Sequence, residues 1–173
     1  MNLIENLGSK IACLYRKRAR IINKKLKYLD ISFNHSILLV NIDRNPGLNQ
    51  NQLTELLNLD KTNISKILRT LEERGLLNKQ LNVNDKRYYQ IYLSPKGEAL
   101  TLEIREILSK IWDKHLQGIP QKEKELFLVV LDQILENIDE CEEEIWLKWL
   151  LVYKKINVFY KSNWKSLKIK KIK

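Results

Sequence analysis

The chain has few of the residues that build metal and redox sites. Its 173 residues include two cysteines, Cys13 and Cys141, and two histidines, His35 and His115. None of the four has the spacing of a zinc motif or of a C-x-x-C pair. P-loop, G-x-S-x-G and H-E-x-x-H patterns are also absent. We therefore expect no metal, no cofactor and no catalytic site.

Long apolar runs are lacking as well. No stretch of 18 consecutive apolar residues occurs, so no transmembrane helix is predicted. The segment from Met1 to Leu14 contains Glu5 and Lys10 and has no apolar core of the kind found in signal peptides. The length suits one domain with a hydrophobic core. We expect a cytoplasmic protein.

Positive charge is abundant but unevenly distributed. The formal net charge is +10, and residues 146–173 contain nine lysines and no acidic residue. Subtracting those nine leaves +1 for residues 1–145. A prediction of nucleic-acid binding must therefore rest on a local cluster of suitable side chains and not on the overall charge.

A helix pair is predicted in the middle of the chain. Asn49 is a good N-cap, and Gln52 follows three residues later, which is the capping-box arrangement. Asp60 is the N-cap expected for a second helix over residues 61–74, and Gly75 is suited to end it. Two short helices separated by a tight turn are typical of a helix-turn-helix.

The second helix has one apolar and one polar face. Asn can pair with adenine and Lys with guanine in the DNA major groove, and Ser and Thr can take either role. An ordinary solvated surface is the alternative interpretation. The candidate DNA-binding side chains are Lys61, Thr62, Asn63, Ser65, Lys66 and Arg69.

A β-hairpin is predicted next to this helix. Residues 76–83 and 88–93 have strand-like patterns, and Asn84-Asp85-Lys86-Arg87 forms the polar tip between them. An arginine such as Arg87 suits the narrow, negative minor groove. Asp85 could orient it through a charge-assisted hydrogen bond. An ordinary polar turn is the alternative.

Four stretches of the sequence carry a family resemblance: Leu59–Leu68, Leu71–Leu77, Asn84–Arg87 and Leu93–Gly97. In these stretches the segment from Leu53 to Gly97 resembles the core of the MarR family of bacterial transcription regulators. The Asp-x-Arg wing followed by a Leu-Ser-x-x-Gly helix start is the more specific part. The resemblance implies base contacts from Ser65 and Lys66, minor-groove entry by Arg87 with support from Asp85, and a phosphate contact from Lys86.

Further helices are expected on both sides of this core. Apolar periodicity predicts helices over residues 2–29, 32–43, 95–115 and 121–139. We expect a mainly α fold with a small β wing, in which a winged helix-turn-helix domain, residues 31–97, is flanked by dimerisation helices at 1–30 and 98–144. The resemblance implies a triangular homodimer on a pseudo-palindromic double-stranded DNA operator. The alternative is that these helices only complete a monomer core.

The resemblance also implies a repressor that loses DNA affinity when a small aromatic or lipophilic effector binds. Its pocket would lie between the dimer helices and the winged domain. For any single candidate, a core or surface position is the alternative. The candidate lining residues are Tyr15, Tyr28, Phe33, His35 and Trp112.

Two other functions remain open from the sequence. Cys13 lies in the first helix, where a branch of the family carries a peroxide-sensing cysteine. Arg16 and Arg20 follow one and two turns later and would favour a thiolate, and Cys141 is a candidate resolving thiol. A winged helix that binds protein is the other possibility, although the basic side chains of the polar face argue against it.

The C-terminal segment departs from the family pattern. Residues 145–173 form a basic, aromatic extension rich in Lys, Trp and Tyr. Such a segment could lie on an anionic membrane, bind nucleic acid, add a dimerisation arm or carry no selected function. We favour a helical extension that packs on the dimer region.

Overall fold

The computed structural model describes residues 3–83 and 86–141. The chain divides into two compact units between His115 and Leu116. The predicted wing-tip residues Asn84 and Asp85 and the predicted extension at 145–173 lie outside the described residues. The first unit contains α1 (Leu3–Leu26), a 3-10 turn (Lys27–Leu29), α2 (Phe33–Arg44), α3 (Gln50–Leu57), α4 (Lys61–Glu73), β1 (Leu77–Leu81), β2 (Tyr89–Leu93) and α5 (Pro95–His115).

In the second unit, residues 121–141 are helical. The predicted fold class, mainly α with a small β wing, is confirmed. The helices over 95–115 and 121–139 occur where the apolar periodicity places them.

The helix starts follow local side-chain chemistry. Asn49 accepts hydrogen bonds from the backbone N–H groups of Asn51 and Gln52, at 2.9 and 3.0 Å, and the side chain of Gln52 accepts from the N–H of Asn49 at 2.9 Å. Asp60 accepts from the N–H of Asn63 at 2.8 Å. Both predicted caps are confirmed, and they satisfy amides that a helix leaves unpaired at its N-terminus.

The first helix ends earlier than predicted. α1 ends at Leu26, and a 3-10 turn covers the last three residues of the predicted helix. Asp30 then takes a left-handed conformation with φ 53°, and Ile31 donates to the carbonyl of Leu26 at 3.3 Å. The physical reason is that Ile31 must turn back into the core, where it is 2% exposed.

One hydrophobic core orients α4. Its apolar stripe is fully or almost fully buried, and burial of each such side chain stabilises the fold by roughly 1.5–3 kcal/mol. The polar side of the helix must then point away from the core. The buried stripe consists of Ile64, Ile67, Leu68 and Leu71.

The wing is hydrogen-bonded on both edges of β2. β1 and β2 pair in antiparallel register from Leu77↔Leu93 to Leu81↔Tyr89. On the other side of β2, Gly47 donates to the carbonyl of Ile91 at 3.0 Å, and Ile91 donates to the carbonyl of Leu48 at 3.1 Å. The loop before α3 therefore holds the wing beside the helix-turn-helix.

The start of α5 is held against the turn that follows α4 by hydrogen bonds of Ser94, a contact called the clamp below. Ser94 Oγ donates to the carbonyl of Gly75 at 2.7 Å and accepts from the N–H of Gly97 at 3.0 Å. The N–H of Ser94 donates to the carbonyl of Leu76 at 3.0 Å. A Cβ at position 97 would lie 2.1 Å from that same Leu76 oxygen. Only glycine permits this approach, which explains the Leu-Ser-x-x-Gly pattern physically.

We predict that Gly97→Ala lowers the free energy of unfolding by about 1–3 kcal/mol, because the added methyl group must displace backbone. Urea denaturation measures the loss. Gly8→Ala is the matched control, since nothing lies within 4 Å of a Cβ at that helical position, and we expect it to be neutral or slightly stabilising. Equal stability of the two variants would contradict the clamp.

Candidate nucleic-acid interface

The predicted recognition face of α4 is exposed along most of its length. Lys61, Thr62, Ser65, Lys66 and Arg69 all point away from the core, on the side opposite the buried stripe. Asn63, in the first turn of α4, is half-buried. The structure therefore brings five of the six predicted side chains to one surface, and it leaves Asn63 only partly accessible.

Two side chains of this face have partners. Gln50 Nε2 donates to Ser65 Oγ at 2.6 Å. Arg69 Nε donates to Glu73 Oε1 at 2.8 Å, and this contact raises the pKa of the arginine. Among the described residues, Lys66 has no ion-pair partner. Its ammonium group is thus available to a ligand without breaking a contact.

The wing presents positive charge beside this face. Lys86 and Arg87 are both exposed at the hairpin tip. The guanidinium carbon of Arg87 lies 5.7 Å from the centroid of the Tyr88 ring, within the range of cation–π attraction. The interaction predicted between Asp85 and Arg87 stays a prediction, because Asp85 lies outside the described residues.

A notch of about 260 Å³ separates the helix-turn-helix from the wing. It receives cationic side chains from three places, namely α4, β1 and the wing tip, so positive charge converges there. Among the notch residues, Lys79 is held by Glu72, with 2.5 Å between Nζ and Oε2. The lining residues are Asn49, Gln50, Asn51, Lys61, Lys79, Arg87, Tyr88, Tyr89 and Ile91.

Gln50 at the start of α3 lies beside the recognition face, and the sequence pattern does not predict this, because it depends on how α3 packs against α4. Lys79 is not predicted either, because its position depends on the twist and register of the hairpin. A convergent basic notch is suited to an anionic phosphodiester.

Comparison with known proteins identifies this arrangement. The sequence model of the MarR family matches residues 29–87, which span the helix-turn-helix and the first strand of the wing. The chain is similar to the crystal structure of the transcriptional regulator SlyA, with a TM-score of 0.75 and 25% identity, over 80% of this chain and 98% of that one. In the matched segment and in its fold, the chain is thus similar to winged-helix transcription regulators of the MarR family.

Other solved structures share the fold of this chain. A MarR transcriptional regulator from Methanosarcina mazei Go1 has a TM-score of 0.72 and 26% identity, over 77% of this chain and 96% of that one. The S. aureus MepR–DNA complex has a TM-score of 0.69 and 20% identity, over 76% of this chain and 95% of that one. The family and these neighbours are transcriptional regulators and not enzymes, in agreement with the sequence analysis.

The five residues predicted to bind an effector lie in different surroundings. The rings of Tyr15 and Phe33 meet edge to face with their centroids 5.4 Å apart. The guanidinium carbon Cζ of Arg18 lies over the Trp112 ring, 4.1 Å from its centroid. Phe33 is buried in the core, and Tyr28 alone among the five borders the cleft described next.

A cleft of about 800 Å³ lies between α1 and α5. Isoleucines line its apolar part, and lysines from both helices stand around it. At its edge, Tyr28 donates to Glu103 Oε1 at 2.7 Å, and this hydrogen bond raises the pKa of the phenol. The lining residues are Ile21, Lys25, Tyr28, Ile107, Lys110, Ile111, Lys114 and His115.

His35 caps α2. The backbone N–H of His35 donates to Ser32 Oγ at 3.2 Å, and the ring Nδ1 of His35 accepts from the backbone N–H of Ser32 at 3.3 Å. Nδ1 can accept only while it carries no proton. Burial lowers the pKa of the imidazole, the positive charge of Arg74 lowers it further, and Asp30 opposes both effects. The neutral histidine is therefore the form that completes the capping box.

The cysteines occupy different environments. Cys13 is half-buried in α1, and Cys141 is exposed in the second unit. In the described part of the chain, no group of His, Cys, Asp and Glu is placed to hold a metal ion. Over the same residues, no helix has the length and apolar character needed to cross a bilayer. The redox role of the two thiols stays a prediction.

We predict that His35 makes stability depend on pH. Its folded-state pKa lies below the ordinary 6.5, so its stabilisation is complete above about pH 6.5 and is lost as the pH falls through the folded-state value. His35→Gln keeps a capping-box residue that does not titrate. Urea denaturation across this pH range should show a steeper loss at low pH for the wild type than for this variant.

His115→Gln, which replaces the other histidine, is the control for the loss of an imidazole ring. Parallel profiles for the wild type and His35→Gln would contradict the role given to His35.

Proposed function

We propose that the protein is a sequence-specific DNA-binding repressor, acting in the cytoplasm, that a small ligand releases from its operator. The observation that carries the proposal is the notch shared by α4 and the wing. Lys61 at the start of α4 and Arg87 at the wing tip line the same notch. A recognition helix and an adjacent basic wing are thereby placed to contact neighbouring grooves of one duplex.

The proposed DNA contacts divide into reading and positioning. Ser65 and Lys66 read base edges in the major groove, and Arg87, oriented by Asp85, enters the minor groove. The remaining candidates, Thr62, Asn63, Lys61, Arg69 and Lys86, contact phosphate or the outer base pairs. The S. aureus MepR–DNA complex supports this arrangement, because that protein has the same fold.

We further propose that the protein works as a homodimer on a pseudo-palindromic operator. In the first unit, α1 exposes the apolar side chains of Leu7, Ile11 and Leu14. In the second unit, the helix over 121–141 exposes a larger apolar set, which includes Phe127 and Val130. Apolar surface of this extent marks an interaction site. It supports the domain proposal, with residues 31–97 binding DNA and residues 1–30 and 98–144 forming the dimer.

Binding to DNA from the region upstream of the protein's own gene tests the proposal. We predict a specific shift relative to a scrambled duplex of equal length at matched salt, and weaker binding to a duplex cut to one half-site. Lys66→Ala should weaken specific binding by about 1–3 kcal/mol, and Arg87→Ala should also weaken it strongly.

Lys122→Ala is the charge-matched control, since Lys122 is exposed in the second unit. Equal affinity for specific and scrambled duplexes would contradict the proposed function. Unchanged specific affinity of Lys66→Ala or of Arg87→Ala would contradict the role of that residue.

The cleft between α1 and α5 is the proposed effector site. Its apolar lining suits an aromatic or lipophilic body, and Lys25, Lys110 and Lys114 favour a negative charge on the ligand. Of the residues that line this cleft, only Tyr28 is also among the five residues predicted from the sequence to line the effector pocket. The aromatic pairs Tyr15–Phe33 and Trp112–His115 contribute to packing around α1, α2 and α5.

We predict that 1-naphthoate weakens operator binding and that the uncharged 1-naphthamide does so less, because only the carboxylate can pair with the lysines. Lys110→Ala should raise the naphthoate concentration needed for release, as measured by fluorescence anisotropy of labelled operator. Lys122→Ala is again the control. Release by naphthoate that is insensitive to Lys110→Ala would contradict this location.

A further inference from the structure

A side chain outside the recognition helix is bonded to the recognition face. Gln50 is the first residue of α3, and its Nε2 donates to Ser65 Oγ across a sequence separation of 15 residues. At 2.6 Å this is a short hydrogen bond. Gln50 also lines the notch between the helix-turn-helix and the wing, together with Lys61 and Arg87. Its amide therefore lies where DNA is proposed to bind.

The side chain of Gln50 has no part in capping its own helix. Asn49 and Gln52 form the capping box of α3. The backbone carbonyl of Gln50 accepts a hydrogen bond from Thr54 Oγ1 at 2.8 Å, which does not involve the Gln50 side chain. Replacing the side chain should thus leave α3 and its cap in place. What is lost is the contact with Ser65.

This contact decides what the Ser65 hydroxyl can offer. A serine hydroxyl has one hydrogen and two acceptor sites, and unrestrained it rotates to suit either kind of partner. Because Gln50 donates to Ser65 Oγ, the hydroxyl hydrogen must point elsewhere. It is then available to an acceptor on a base edge, such as guanine O6 or N7, adenine N7 or thymine O4.

We propose that Gln50 is a positioning residue for sequence recognition, which holds Ser65 as a hydrogen-bond donor toward the base pair that it faces. The inference rests on the proposed function, since it assumes that Ser65 reads DNA. It adds a specificity-determining residue from α3 to the recognition surface of α4. It also distinguishes Gln50 from a simple link between the two helices, which would affect stability and leave base preference unchanged.

Selection from a library of duplexes with a randomised central segment tests this inference. The wild type, Gln50→Ala, Ser65→Ala and the double variant are each used to select and are then sequenced in parallel. We expect Gln50→Ala to lower the preference at the same base pair that Ser65→Ala affects, by roughly threefold to tenfold, the value of one hydrogen bond. The double variant should match Ser65→Ala at that position.

Two further variants sharpen the experiment. Gln50→Glu keeps the size of the side chain but can only accept, so the Ser65 hydrogen should turn toward it and the same preference should fall. Gln121→Ala is the matched control. Gln121 is also the first residue of a helix and also donates a side-chain hydrogen bond, to Glu125 at 3.0 Å. The Gln121→Ala variant should select the same DNA sequences as the wild type.

The outcomes separate this inference from the function on which it rests. If the wild type enriches a motif and Gln50→Ala and Gln50→Glu enrich the same motif with the same preferences, the positioning role is overturned and the proposed function stands. A loss confined to a different base pair would also overturn it, because Gln50 would then read DNA directly. If the wild type enriches no motif, the proposed function fails and this inference fails with it.

Discussion

The end of the recognition helix is held by a small set of hydrogen bonds, and the position of the DNA-binding surface depends on them. Ser94 is hydrogen-bonded to both Gly75 and Gly97, so one side chain joins the turn that follows α4 to the first turn of α5. Lys96 adds a bond from Nζ to the carbonyl of Arg74 at 3.0 Å. The close approach of Gly97 to the Leu76 carbonyl completes the contact. Without these contacts, the apolar side chains of α4 would still be driven into the core. The direction of α4 relative to α5 would then be less well defined.

The same helix end is also tied to α1 and α2. Arg74 Nη2 donates to the carbonyl of Leu29 at 2.9 Å, at the corner that follows α1. The His35 capping box begins α2 just beyond that corner, with Arg74 close enough to lower the histidine pKa. α4 is therefore connected through Ser94 to α5 and through Arg74 to α1. These two helices enclose the cleft proposed for the effector, so a ligand that changes their separation has a contiguous route to the recognition helix.

The proposed recognition of specific DNA sequences does not require a strongly basic domain. Residues 1–145 carry a formal charge of only +1, and the positive groups near the notch are few. Affinity from phosphate contacts and specificity from base contacts are separate physical terms. The arrangement of Gln50, Ser65 and Lys66 bears on specificity from base contacts. Ser65, bonded to Gln50, and Lys66 are neighbours on an exposed helix face.

The sequence by itself determined the features that depend on neighbouring residues. The caps at Asn49 and Asp60, the stop at Gly75 and the apolar stripe of α4 all follow from residue types within a few positions of each other, so the pattern alone predicts them. Only the tertiary structure decided that Gln50 meets Ser65, that Gly97 meets Leu76, that His35 lies close enough to Arg74 for its pKa to be lowered, and that lysines of α1 and α5 surround one cleft. The effect on His35 comes from a residue 39 positions away in the sequence. The other contacts join residues on different elements, whose meeting is set by the packing of the core and not by any periodicity along the chain.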